Sequence, residues 1–266
     1  LKSSPDNREA LLATGELALA KRDFKLAGQT FTRAIGHYPD DADLLYGLAK
    51  AYAESDPSQM EEPLHTAMFT NPDHVPSLLL QAHNQADAEQ YDTANGILKA
   101  IFKINPNHAA SWALQAALHT VRNEPDKAKS ARASGLKYWK TNPLVDHEIG
   151  KKLSSKYLFA EGAAHQRQAL EFSKDYLPAK TQLAQDLLRL GQEEEGWRLA
   201  EEAHNADGYD VTTYNLLTLH DSLKKYTTID RNGFLLRMTR DESALYGDEA
   251  IDLLTEAREL FSVKYD

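Results

Sequence analysis

The stretch REALLATGELALAKRDFKLAGQTFTRAIGHYPDD, residues 8–41, reads as two short helices with a break between them. Leu11, Gly15 and Ala18 share one face of the first helix, and Ala27, Phe31 and Ala34 share one face of the second. Asp23 marks the break. Pro39 stops the second helix, because it has no N–H and pushes the preceding residue out of the helical region. Gly15 and Ala27 are small where two crossing helices meet, so the backbones can approach closely. Asp6 and Asn7 both suit the cap of the first helix.

The pattern recurs along the chain. Pro39, Pro72, Pro106, Pro143 and Pro178 follow one another at intervals of 33, 34, 37 and 35 residues, each read as a helix terminator. Between them lie Leu45, Ala49, Tyr52 and Ala67, then Leu78, Ala82, Ala94, Leu98 and Ile101, then Trp112, Ala116 and Ala128. In the second unit Pro57 falls in the break and Pro63 in the first turn of a late-starting helix. The second helix of the fourth unit is expected to continue through Leu136 and Trp139. A fifth unit, with only Ile149 and Leu153 on its first helix, is the weakest; the sixth recovers with Leu183, Leu187, Gly196, Ala200 and Ala203.

This arrangement resembles the tetratricopeptide repeat (TPR) family, whose pattern is W-x₂-L-G-x₂-Y…A-x₃-F-x₂-A…P over about 34 residues. Gly15, Ala27, Phe31, Ala34 and Pro39 match it, while Leu11, Thr14 and Ala18 replace its Trp, Leu and Tyr. The resemblance implies an all-α fold, a right-handed α–α superhelix or TPR solenoid. About six helical hairpins and an extra helix would occupy residues 8–225, after a polar lead-in at residues 1–7.

Residues 226–266 differ in character. YTTIDRNGFLLRM is β-branched and aromatic on both sides of Asn232–Gly233, a favoured type I′ turn, and predicts a β-hairpin. Asp241 then suits the cap of a long helix carrying Leu245, Ile251, Leu254, Ala257 and Phe261 on one side. A lone hairpin is marginal in water, so this segment reads as the start of a second domain. From about Lys174 onward the chain also resembles a group of bacterial TPR proteins that lead into a peptidase-MA-like domain, a zincin with H-E-x-x-H. That resemblance implies a metal-bearing part outside the 266 residues given.

Composition excludes several functions. With forty acidic against thirty basic residues the formal charge is −10, opposite to what a sequence-independent phosphate surface needs. The basic stretch Lys127, Lys129, Arg132, Lys137 and Lys140, beside Tyr138 and Trp139, lies on a second helix and so on the outer side of a TPR stack; no nucleic-acid partner is expected. There is no cysteine for disulfides or thiolate ligands, and no apolar run long enough to span a bilayer. The chain starts at Leu1 without a signal pattern, which is compatible with a trimmed product. No two of the ten histidines stand four apart; His147–Glu148 begins like H-E-x-x-H, but Lys151 holds the second position. No catalytic residue, metal ligand or cofactor site is assigned.

The remaining candidate is the concave face lined by the first helices. Counting along each helix, its exposed positions are Glu16, Tyr46 and Lys50, Leu79 and His83, then Ala113, Ala117 and Thr120, and Gln185. They describe a mixed groove with a small-residue floor at Ala113 and Ala117, suited to an extended peptide or a helix of a protein partner. A carboxylate clamp of Lys and Asn is not matched, since only Lys50 is of the right kind. The expected function is a non-catalytic protein- or peptide-binding scaffold. The alternatives are the recognition arm of a longer zinc metallopeptidase-like protein, and a structural scaffold that self-associates through its C-terminal segment.

Overall fold

The computed structural model describes residues 6–265. Its first twelve helices pair as six antiparallel hairpins: α1 (Arg8–Ala20) with α2 (Phe24–His37), α3 (Ala42–Ser55) with α4 (Glu61–Thr70), α5 (Val75–Asp87) with α6 (Tyr91–Ile104), α7 (Ala109–Val121) with α8 (Pro125–Gly135), α9 (Pro143–Ser155) with α10 (Phe159–Phe172), and α11 (Leu177–Arg189) with α12 (Glu193–Ala206). The chain folds as a helical-repeat solenoid. Five hairpin turns carry a left-handed residue at the same place, Arg22, Glu89, Asn123, Tyr157 or Gly191, with φ between 57° and 74°; such a residue ends a helix by turning its last carbonyls back onto the chain. The second hairpin turns instead through a 3₁₀ segment, Pro57–Gln59, and Pro63 stands in the first turn of α4.

Local chemistry sets the helix ends. Asn7 caps α1 by accepting from the Ala10 N–H, and Asp23 caps α2 by accepting from Leu26 N–H. Two expectations are corrected. Pro143 and Pro178 open α9 and α11 rather than closing the helices before them, since a missing N–H goes unnoticed in a first turn. Helix α8 ends at Gly135, where a Cβ would stand 3.2 Å from Trp112 and 3.3 Å from Val145; Leu136 to Trp139 are not helical, and Trp139 is left 58% exposed.

Packing follows the period through the first three hairpins. Phe31 is fully buried, flanked by Gly15 and Gly47; a Cβ on either would stand 2.4 or 2.3 Å from its ring. Leu98 and Ile101 fill the corresponding space in the third hairpin beside Leu114 and Leu118.

The fourth and fifth hairpins depart from this chemistry. Arg132 takes the place that Phe31 holds in the first, and Asp146 the place of Leu11. Asp146 is fully buried and receives both Nε and Nη2 of Arg132, at 2.7 and 2.6 Å. Gln166 again replaces the aromatic residue and bonds His147. Against the hairpin before it, α9 lies mainly along α7 and only lightly along α8, whereas α3 lies against α2 and α11 against α10.

A second compact unit spans Thr212–Asp266. It holds most of α13 (Val211–Leu223), strands β1 (Thr227–Arg231) and β2 (Phe234–Met238), and α14 (Arg240–Tyr265). The division places α13 with the hairpin rather than with the repeats. The strands pair from Thr227↔Met238 to Arg231↔Phe234, with Asn232 and Gly233 both at positive φ, as a type I′ turn requires. The cap of α14 is Thr239, not Asp241: Thr239 N–H donates to Glu242 Oε2 at 3.1 Å and Glu242 N–H reaches Thr239 Oγ1 at 3.4 Å, a reciprocal capping box. On α14 only Gly247 and Ile251 are buried; Leu245 and Phe261 of the expected apolar face are exposed.

Candidate functional site

The first helices touch in succession, α1 to α3, α3 to α5, α5 to α7, α7 to α9 and α9 to α11, and form one continuous layer. The layer bends strongly. Lys152 on α9 reaches Asp87 at the end of α5 at 2.7 Å, and Lys156 donates to the Asp87 carbonyl at 3.0 Å, passing over the fourth hairpin. Lys21 in the first hairpin meets Asp207, just past the sixth, at 2.7 Å.

On this layer Glu16, Tyr46 and Lys50 line a single cavity of about 360 Å³, with Leu12 and Leu19 supplying its apolar wall. The Tyr46 ring is held by the edge of His74 at 5.8 Å and lies under the Lys50 ammonium at 6.0 Å. His74 is itself fixed, Nδ1 to Ser77 at 2.8 Å and Nε2 to Asp43 at 3.1 Å. Burial pushes the Tyr46 phenol above its ordinary range, and the negative charges of Glu148 and Glu16 push it further. The phenol is therefore a neutral hydrogen-bonding group at any physiological pH.

Further along, half-buried His83 has its pKa pushed down to about 3 by burial and by the cations Lys152 and Lys151. It is a neutral imidazole. Tyr176 packs edge-on against His147 at 5.6 Å, and burial with the Glu148 charge raises its phenol.

The other expected positions are dispersed. Leu79 packs against the core of the third hairpin. Ala113 and Ala117 form no groove floor: both are 0% exposed, because α7 presses directly on α9 and closes over them. Thr120 donates to the Ala116 carbonyl and lines a different cavity, against α8. Gln185 is half-buried on α11, away from the cavity of Tyr46.

Sequence reasoning considered Glu148 and Lys151 only as an incomplete metal motif and did not single out Tyr176, although their charges and rings act on Tyr46, His83 and His147. Counting 34 residues on from Ala117 lands on Lys151, so the signal was present in the register; the polar fifth repeat obscured it. Among the described residues no three His, Asp or Glu side chains converge as metal ligands would.

No family model and no curated protein matches the chain. Solved structures do. TTC0263, a thermophilic TPR protein of Thermus thermophilus, is 21% identical, with 68% of this chain covering all of that one at a TM-score of 0.54. The chain has the fold of TPR proteins. Pseudomonas aeruginosa pilF is 13% identical over 80% of this chain and 97% of its own, at 0.50. The human IFIT1 dimer with m7Gppp-AAAA is 15% identical over 80% and 53%, at 0.56. At these identities the likeness concerns the fold. No helix among the described residues is long and apolar enough to cross a membrane.

Proposed function

We propose that the chain is a non-catalytic binding module that seats a segment of a protein partner, extended or helical, on the layer of first helices. The cavity of Glu16, Tyr46 and Lys50 carries this reading. It combines an apolar wall, a fixed neutral phenol and two opposite charges, the composition expected of a peptide-binding surface. A negative net charge disfavours RNA or DNA as the partner.

The test is selection of peptides from a displayed random library on the intact chain. Enriched peptides are expected to lose affinity about tenfold or more for Lys50→Glu and Glu16→Lys. These exposed substitutions should leave stability within about 0.5 kcal/mol of the parent. Peptides that bind parent and variants equally would refute the assignment.

A finer reading concerns Thr212–Asp266, where Leu235, Leu253 and Leu260 are 51, 65 and 63% exposed. These apolar surfaces support a role as the start of a metallopeptidase-like domain, the groove then serving as its recognition arm; the alternative is contact with a second copy. An H-E-x-x-H in the native gene beyond residue 266 supports the first, and concentration-dependent dimerisation of this chain, lost on Leu253→Glu, supports the second.

A further inference from the structure

Between α8, α9 and α10 lies a cavity of about 330 Å³, lined by Glu124, Pro125, Ala128, Lys129, Arg132 and His165 among others. Its size lies within the range of small-molecule sites, about 300–1,000 Å³. The residues that create it are unusual for their positions. Arg132 and Asp146 occupy places that the first hairpin fills with Phe31 and Leu11, and an apolar pair there serves stability as well or better.

The charges around the cavity do not cancel fully. Asp146 is matched by Arg132, and its Oδ1 also receives His165 Nδ1 at 2.7 Å. Glu124 is matched by Lys127 at 2.8 Å and bonded by His119 at 2.6 Å. Lys129 makes no ion pair or hydrogen bond among the described residues, and Arg132 Nη1 and His165 Nε2 likewise have no hydrogen-bond partner. Arg132 is held by a buried carboxylate, so its guanidinium plane is fixed before any ligand arrives and little rotamer entropy remains to be lost.

We infer that this cavity is a second binding site, separate from the groove, for a small molecule bearing a carboxylate or phosphate. The anionic group meets Lys129 Nζ and Arg132 Nη1, and a short apolar body rests on Pro125 and Ala128.

The experiment is a ¹H–¹⁵N titration of the intact chain at constant ionic strength, with sodium succinate in one arm and inorganic phosphate in the other. Saturable shifts of α8 amides and of the His165 ring are expected in at least one arm, and which arm saturates identifies the anion. Lys129→Glu, at an exposed position, is expected to weaken binding about tenfold or more. Lys103→Glu makes the same charge change on α6 and should leave binding unaltered. Shifts that never saturate, or equal loss in both variants, would mean an adventitious ion only and overturn the site. Neither result bears on the peptide groove, whose residues are not altered.

Discussion

Replacing Gly47 with Ala tests the packing logic of the opening repeats. The added Cβ would stand 2.3 Å from two Phe31 ring carbons, well inside ordinary carbon–carbon contact at about 3.5–4.0 Å. The ring cannot retreat, because Gly15 lies against it from the other helix with equal closeness, at 2.4 Å for a Cβ there. Overpacking of this kind costs about 1–3 kcal/mol. The better helix propensity of Ala offsets ~0.5–1 kcal/mol of that, leaving a net loss of roughly 1–2 kcal/mol. Phe31→Leu alone leaves a void and loses a comparable ~1–2 kcal/mol. In the double variant the smaller side chain admits the methyl, so the two losses should not add; a coupling of about 1–2 kcal/mol in the favourable sense is expected. Urea denaturation followed by helical circular dichroism measures the whole cycle. Strict additivity would show that the residue 47 methyl and the residue 31 side chain do not compete for one space, and would refute this packing.

Two further outcomes follow from buried polarity and from the turns. Burial holds the Asp186 carboxyl above its ordinary range despite hydrogen bonds from Ser154 and Gln182, so its favourable contribution is present below about pH 3.9 and is lost as pH rises through the raised value. Asp186→Asn is therefore expected to stabilise the fold at pH 7 and to make little difference below about pH 4, checked by denaturation at both; a destabilised neutral-pH variant would contradict this. Glu89 is exposed in a left-handed turn at φ 61°, so Glu89→Gly should gain ~0.5–1 kcal/mol in the same assay, and a loss would show that its side chain holds the turn.

The repeat architecture was legible because its signals are local and periodic. Gly15, Ala27, Phe31 and Ala34 announce a helix crossing wherever they recur, and Asn232–Gly233 announces its turn by backbone preference alone. Helix ends were less so. Gly135, the last residue of α8, packs against Trp112 and Val145, a contact that no local pattern contains. Thr239 and Glu242 do form a readable capping box, but the more acidic Asp241 drew the assignment away from it. The groove was half legible. Three of the expected positions, Glu16, Tyr46 and Lys50, line one cavity, while Ala113 and Ala117 are covered because the fourth and fifth hairpins pack first helix on first helix.

Those same two hairpins show why the polar substitutions hold together. Ser154 Oγ lies 2.9 Å from the Gly150 carbonyl and 2.8 Å from Asp186 Oδ2, yet a hydroxyl has one proton to donate. If Asp186 is ionised, one of these two acceptors goes without. If Asp186 is protonated, its O–H donates to Ser154, and Ser154 donates to Gly150, so every group is satisfied. Burial pushes the Asp186 pKa in the same direction. Asp146 is the opposite case. Burial alone would raise it, but hydrogen bonds from His165 and Arg132 outweigh burial and hold it below the ordinary carboxylate range. The two buried acids on adjacent first helices are thus shifted in opposite directions, Asp186 upward by burial and Asp146 downward by the donors it meets. An asparagine suits position 186 because its amide can donate where the protonated acid does; at position 146 it would present an N–H to donors already in place. Asp146→Asn should therefore be as damaging as Asp186→Asn is favourable, and the charged member of the pair is the one that fixes Arg132 beside the second cavity.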